Sequence, residues 1–255
     1  RLSGVVVGPT GLVYVAGTVP VSDGSTTSTV SMVDPVTAQV TGRILVGTLP
    51  LILVMSPDGQ TLYTVNTVSN NISVVDLAAQ AVTGTINVGE RPRGLALSHD
   101  GTLGYVSYGL THGIGIVDLA AREVVRTIGL PQLTRLGEMV LSRDDRWLYA
   151  VDSSGNAVLA IDLSQQEQAK HITLGRITGY TEYSPMALAL APDDQRLFVA
   201  NRDGTLSVLE VPGNRLKGAL RQVGIDLRGV AFTPDGTAYV TSLGTDEVVV
   251  VQKIK

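Results

Sequence analysis

The stretch that decides the fold is Arg91–Leu130, RPRGLALSHDGTLGYVSYGLTHGIGIVDLAAREVVRTIGL. Runs of apolar and β-branched residues bounded by Gly, Asp and Pro predict four short strands within it. The predicted strands are Gly94–Ser98, Leu103–Tyr108, Gly113–Leu119 and Glu123–Leu130. Four strands that recur every ~40–50 residues are typical of a β-propeller blade.

The turn between the first two strands recurs along the whole chain and sets the register of the repeat. Its copies begin 42 to 49 residues apart at Gly8, Ser56, Ser98, Ser142, Ala191 and Thr233, as in Ser56-Pro57-Asp58-Gly59 and Thr233-Pro234-Asp235-Gly236. Pro pre-sets φ in such a turn, Asp bonds its own backbone, and Gly takes the positive φ. We therefore predict one all-β domain over 1–255, a β-propeller of six four-stranded repeats with approximate bounds 1–47, 48–89, 90–130, 131–175, 176–224 and 225–255.

The ends of the chain and one loop depart from this regularity. The last repeat stops after its third strand, so we expect an incomplete final blade, or a seventh blade if flanking sequence has been removed. The long polar segment Gly17–Ser28 predicts a loop between the second and third strands of the first repeat.

Two further motifs repeat with the turn. Second strands read Tyr63-Thr64-Val65-Asn66 and Phe198-Val199-Ala200-Asn201, and third strands close in an acid, as in Ser73-Val74-Val75-Asp76. Together with Ser-Pro-Asp-Gly, these motifs resemble the bacterial YVTN-type β-propeller repeat from residue 1 to about 252. Propellers of this kind include surface-layer and other extracytoplasmic binding proteins and, more distantly, lactonase-like enzymes and subunits of quinone- or haem-containing dehydrogenases.

Composition excludes several classes of function. The chain is 44% hydrophobic and 16% charged, which argues against disorder. A net charge of −4 with no block of like charge predicts no nucleic-acid partner, and no apolar run is long enough to predict a membrane span. The chain has no cysteine, which excludes disulfides, thiolate metal sites and a cysteine nucleophile. Because residue 1 is Arg1 rather than Met, we expect a processed or trimmed chain, which a removed signal peptide or an excised domain would explain. The resemblance to the YVTN-type repeat implies an extracytoplasmic location, in the periplasm or at the cell surface.

Polar residues that recur at one register are predicted to be structural, because every repeat needs the same turn. Asn66, Asp152 and Asn201 end three second strands and are predicted to bond within turns. The alternative is a ring of oxygen ligands for Ca²⁺. The acids that close third strands, Asp34, Asp76, Asp118 and Asp162, are predicted to cap turns. We therefore predict no cofactor, with Ca²⁺ as the alternative.

Residues that break the repeat in the loops between repeats, and between second and third strands, are the better candidates for binding. They are Arg93, Tyr108, His112, Arg135, Glu138, Arg176, Tyr180, Glu182, Tyr183 and Arg228. Arginine suits carboxylate, sulfate or phosphate ligands, and tyrosine suits protein interfaces. Glu138 occupies a register held by Gly, Ile or Ala elsewhere; we predict that it pairs with Arg135 or Arg93, the alternative being a metal ligand or general base.

The sequence contains no GxSxG, Walker A or GxGxxG motif, so we assign no catalytic residue and no metal ligand. We predict a non-catalytic binding or scaffolding propeller that presents a loop-rich face to a protein, glycan or small ligand. The alternatives are a lactonase-like, metal-dependent hydrolase that uses Glu138, and a propeller subunit of a redox complex.

Overall fold

The computed structural model describes residues 2–22, 25–109, 113–130, 135–164, 168–174 and 184–252, and all structural statements concern these residues. They form 23 β-strands and no helix. Contacts between Cα atoms divide the chain into an N-terminal unit, residues 1–129, and a C-terminal unit, residues 130–255. Each unit contains three sheets, which we call blades one to three and blades four to six in chain order.

The strands of the N-terminal unit are β1 Leu2–Val7, β2 Val13–Pro20, β3 Thr26–Asp34, β4 Gln39–Leu45, β5 Pro50–Met55, β6 Thr61–Asn66, β7 Asn71–Asp76, β8 Ala81–Asn87, β9 Pro92–Leu97, β10 Leu103–Tyr108, β11 Gly113–Asp118 and β12 Glu123–Gly129. Those of the C-terminal unit are β13 Leu136–Leu141, β14 Trp147–Asp152, β15 Ala157–Asp162, β16 Gln168–Thr173, β17 Pro185–Leu190, β18 Arg196–Asn201, β19 Leu206–Glu210, β20 Arg215–Leu220, β21 Leu227–Phe232, β22 Ala238–Ser242 and β23 Glu247–Val251.

Every blade is an antiparallel meander in which each strand pairs with the next one along the chain. Blades one to five have four strands, whereas the described residues of blade six form three, in the order β21-β22-β23. This confirms the predicted all-β, six-bladed β-propeller with an incomplete last blade. No helix in the described part of the chain is long and apolar enough to cross a membrane.

The prediction of a loop over Gly17–Ser28 is wrong for most of that segment. Strand β2 continues to Pro20 and β3 begins at Thr26, with Thr18 opposite Ser28 and Pro20 opposite Thr26. The polar composition hid the strand signal, although Thr and Val are β-branched residues that fit an extended hairpin.

Apolar side chains pack between neighbouring blades within each unit. In the N-terminal unit, Leu62 and Val65 are fully buried, in the clusters between blades one and two and between blades two and three respectively. In the C-terminal unit, the ring of Phe198 meets that of Phe232 edge to face, with 4.9 Å between their centroids. Because a single sheet cannot cover both of its faces, this packing between blades supplies the core.

The predicted turn chemistry is present. Gly59 and Gly101 adopt positive φ, and Asp58 Oδ1 accepts hydrogen bonds from Ser56 Oγ and the Gln60 N–H. In blades four and five the same backbone position holds Asp145 and Asp194, with φ of 54° and 53°.

The predicted caps of the third strands are also present. The carboxylates of Asp34, Asp76, Asp118 and Asp162 each accept a backbone N–H from the turn that follows.

Candidate functional site

A β-bulge near the start of each first strand defines the most variable register of the repeat. In blade two, Pro50 pairs with Asn66 and Ile52 with Val65, which leaves Leu51 as the extra residue. The extra residues of the six blades are Ser3, Leu51, Arg93, the pair Gly137 and Glu138, Met186 and Arg228. All of them are at least partly exposed, and they differ in chemistry from blade to blade. Bulges re-aim side chains and are frequent beside functional sites, so this register is the candidate binding surface of each blade.

Glu138 contacts the next blade rather than an arginine. Its Oε2 accepts a hydrogen bond of 3.2 Å from the Leu188 N–H of strand β17. Strand β17 is at the edge of its sheet. The N–H groups on the outer side of an edge strand have no neighbouring strand to bond with and need other acceptors. The predicted pairing of Glu138 with Arg135 or Arg93 is therefore corrected: the carboxyl group caps an edge strand.

Burial dominates the electrostatics of Glu138. The side chain is partly accessible, yet the surrounding protein removes enough water that desolvation raises the pKa of its carboxyl group to about 7. The hydrogen bond from Leu188 opposes this shift only in part. A carboxyl group with a pKa near neutrality can accept or release a proton at physiological pH, which is the property required of a general base.

A second cluster of charges lies between blades five and six. Asp226 Oδ2 is 2.8 Å from Arg228 Nη2, and its Oδ1 is 3.6 Å from Arg202 Nε. Arg228 projects from the bulge of β21, and Arg202 follows the second strand of blade five. Two guanidinium groups thus share one carboxylate and leave a surplus positive charge at a partly exposed position. Arg202 was not among the predicted binding residues, although its place directly after Asn201 puts it in a loop of the kind that supplied the others.

The residues that end the second strands form hydrogen bonds inside their own blades, as predicted. Asn66 donates from Nδ2 to Asn71 Oδ1 and Ser73 Oγ, and Asn201 donates to Thr205 Oγ1 and Ser207 Oγ. Both are fully buried, in positions where water cannot replace these hydrogen bonds.

Asp152 has the same role in blade four. Its Oδ1 accepts from the backbone N–H groups of Arg135, Ser154 and Gly155 and from Ser154 Oγ, at 2.6 to 3.2 Å. Its Oδ2 lies 3.8 Å from Nδ1 of His171 on the outermost strand.

Tyr108 is not the exposed contact residue that the sequence predicted. Its side chain is only 4% exposed and belongs to the core between blades two and three. The ring lies against Gly89 and Gly115, where any added Cβ would collide with it. Burial raises the pKa of the Tyr108 hydroxyl group. Two glycines, Gly89 between β8 and β9 and Gly115 within β11, make room for this ring, so the neighbours of Tyr108 decide its burial.

The remaining predicted residues divide into two groups. Arg93 is exposed and its stem lies over Gly109, while Arg135 is exposed and its backbone N–H is bound by Asp152. Five further predicted residues lie outside the described residues, and they are His112, Arg176, Tyr180, Glu182 and Tyr183.

A divalent metal does not fit the polar groups that the structure describes. No three His, Asp or Glu side chains come together within the described ranges. The alternative ring of oxygen ligands, formed by Asn66, Asp152 and Asn201, is spread over three blades. Asp152 Oδ1 accepts hydrogen bonds inside its own blade, whereas Asn66 and Asn201 donate from Nδ2 and their buried Oδ1 atoms accept none from the described residues. We therefore derive no chemistry through a metal, and the expectation of no cofactor stays a prediction.

Comparison with known proteins gives a fold but no family. No protein-family model and no curated protein sequence matches the chain. Among solved structures, it is similar to a periplasmic gluconolactonase of Pseudomonas aeruginosa, with a TM-score of 0.78 and 17% identity over 97% of this chain and 80% of that one. A putative 6-phosphogluconolactonase of Bacteroides uniformis gives a TM-score of 0.75 and 16% identity over 97% and 79%. Hydrazine synthase of Kuenenia stuttgartiensis gives 0.63 and 19% over 98% and 95%.

These similarities support the β-propeller fold, which hosts many unrelated functions. Since no family model matches, the resemblance to the YVTN-type repeat stays a prediction. The extracytoplasmic location also stays a prediction, with which a periplasmic protein among the similar structures is compatible.

Proposed function

We propose that this protein is a non-catalytic binding propeller that takes a small ligand or a partner side chain carrying an oxyanion, at the boundary between blades five and six. The observation that carries the proposal is the cluster of Arg202, Asp226 and Arg228, in which two guanidinium groups share one carboxylate. Guanidinium groups bind carboxylate, sulfate and phosphate through paired N–H donors. The bulge at Arg228 belongs to the register that varies from blade to blade, as expected of a surface adapted to one ligand.

The proposal is tested by calorimetric titration with gluconate, phosphate and sulfate at fixed ionic strength. We expect saturable binding of at least one of these anions, weakened about tenfold or more in the double variant Arg202→Ala with Arg228→Ala, because charged hydrogen bonds each contribute ~1.5–3 kcal/mol. Arg215→Ala is the matched control, since Arg215 pairs with Glu210 on an outer strand of the same unit. If none of the three anions binds, or if the double variant binds as well as the wild type, the cluster is a surface ion pair.

A second function is favoured by one observation, the position and pKa of Glu138. A partly accessible carboxylate with a pKa of about 7 suits a general base that takes a proton from water attacking a lactone carbonyl. Two of the similar structures are described as gluconolactonases. The proposed reaction cleaves the ring ester: water supplies the hydroxyl group of the new acid, and the ring oxygen leaves as an alcohol.

Hydrolysis of δ-gluconolactone, measured above its spontaneous rate, separates this function from simple binding. If Glu138 is the base, the rate should rise as pH increases through about 7, and Glu138→Gln should lower it by a factor of ~10²–10⁴. Glu123→Gln, on an exposed outer strand, is the control that should leave the rate unchanged. A rate that is indistinguishable between wild type and Glu138→Gln would contradict catalysis at this residue.

A further inference from the structure

We propose a second binding site, independent of the function proposed above, in a cleft between the turns of blades four and five. The geometry points to a ligand that carries a cation on an apolar stem, such as an alkylammonium or arylalkylammonium group. The cleft has a volume of about 360 Å³ and is lined by Ser142, Arg143, Asp144, Trp147, Asp194, Val211 and Pro212. This volume falls in the range of small-molecule sites.

The repeat changes where it borders this cleft. The turns of blades two, three and six read Asp-Gly, whereas those of blades four and five read Asp144-Asp145 and Asp193-Asp194. Asp145 and Asp194 take the positive φ that glycine adopts elsewhere, a conformation that aspartate tolerates better than most residues with a side chain. Of these two residues Asp194 lines the cleft and Asp145 does not, so in blade five the repeat's glycine is replaced by a carboxylate that belongs to the cleft.

The carboxylates of the cleft are suited to a cation. Ser142 Oγ and the Arg146 N–H donate to Asp144 Oδ1, and the Ser142 hydrogen bond in particular lowers the pKa of Asp144, which keeps it ionised at neutral pH. Asp194 Oδ2 is 3.1 Å from Arg143 Nε, and the Arg143 side chain is 74% exposed. An ion pair with so exposed a partner is weak, so a ligand cation can replace Arg143 at Asp194.

Part of the cleft lining is apolar. It is formed by the indole of Trp147 with Val211 and Pro212. The guanidinium group of Arg146 lies 5.6 Å from the centre of the Trp147 ring, held by an ion pair to Asp162. This aromatic ring therefore already attracts one cation. Charge and apolar area together select an amphipathic cation over a neutral glycan.

Trp147 is the only tryptophan of the chain, so its fluorescence reports on this cleft directly. We expect a saturable change on titration with benzylammonium, and binding weaker by about fivefold for benzyl alcohol and benzoate at equal ionic strength, since a surface charge contact contributes ~1 kcal/mol. Asp194→Asn should weaken benzylammonium binding to a similar extent, and adding Asp144→Asn should weaken it further. Asparagine tolerates positive φ and keeps an acceptor in each turn, so both variants should fold.

Two sets of control variants distinguish binding in the cleft from a general effect on the turns. Asp58→Asn and Asp100→Asn make the same change in the turns of blades two and three, and should leave the titration unchanged. Asp194→Gly restores the glycine of the repeat, and should lose affinity without any fall in melting temperature. Equal binding of benzylammonium and benzyl alcohol would overturn the proposal, as would unaltered affinity in the double variant or no binding at all.

Discussion

Replacement of Glu138 by glutamine is expected to stabilise the protein above pH 7 and to leave its stability unchanged near pH 4.5. Burial raises the pKa of this carboxyl group from 4.5 to about 7 in the folded state. Between these pH values the folded protein binds more protons than the unfolded chain, so the free energy of unfolding falls as pH rises. The loss is complete just above pH 7 and amounts to up to about 3 kcal/mol. Glutamine is never charged and can still accept the Leu188 N–H, so the variant does not incur this loss.

Urea unfolding of both proteins from pH 4.5 to 8 measures the effect. The difference between the two curves cancels the titration of the three histidines that both proteins share. Glu123→Gln, an exposed carboxyl group on strand β12, should change the free energy of unfolding by less than ~0.5 kcal/mol throughout. Parallel pH profiles for wild type and Glu138→Gln would show that Glu138 remains solvated, and would remove the electrostatic basis for its role as a base.

The fold was predictable because its signals are local. Each turn of the Ser56-Pro57-Asp58-Gly59 type combines pre-set φ, a side-chain hydrogen bond and a positive φ within four residues. Strand β10, Leu103–Tyr108, was predicted with its observed bounds for the same reason, and β9 begins only two residues earlier than predicted. The extended hairpin over Gly17–Ser28 was missed because its polar threonines resemble a loop in composition while having the shape of strand residues.

The site was less predictable because its contacts join residues that are distant in sequence. The burial of Tyr108 depends on Gly89 and Gly115, and the partner of Glu138 is a backbone group 50 residues away. Register analysis nevertheless identified Glu138 and Arg228 as departures from the repeat, and both lie at bulges. The sequence thus located the variable positions, while packing between blades determined which side chains remain accessible.

Removal of the Asp152 side chain is expected to cause the largest loss of stability among the polar residues considered. Its carboxylate is 1% exposed and accepts three backbone N–H groups, from Arg135, Ser154 and Gly155. Alanine would leave the N–H groups of Ser154 and Gly155 without this acceptor, whereas the Arg135 N–H keeps Ser154 Oγ, 2.9 Å away. Each unsatisfied group costs ~1–3 kcal/mol. We expect Asp152→Ala to lower the free energy of unfolding by about 2 kcal/mol or more. Asp152→Asn, which keeps one oxygen, should cost about 1 kcal/mol because only the charge is lost.

The same experiment distinguishes a structural carboxylate from a calcium ligand. A Ca²⁺ ligand would stabilise the fold only when the ion is bound, by an amount that grows with its concentration. Unfolding of wild type, Asp152→Ala and the exposed turn variant Asp34→Ala is therefore compared in EDTA and in excess Ca²⁺. If Asp152 is structural, its loss is equally large in both solutions, and Asp34→Ala costs no more than ~1 kcal/mol in either. A loss that appears only with Ca²⁺ would instead assign Asp152 to a metal site, because the hydrogen bonds it accepts inside blade four do not depend on any ion.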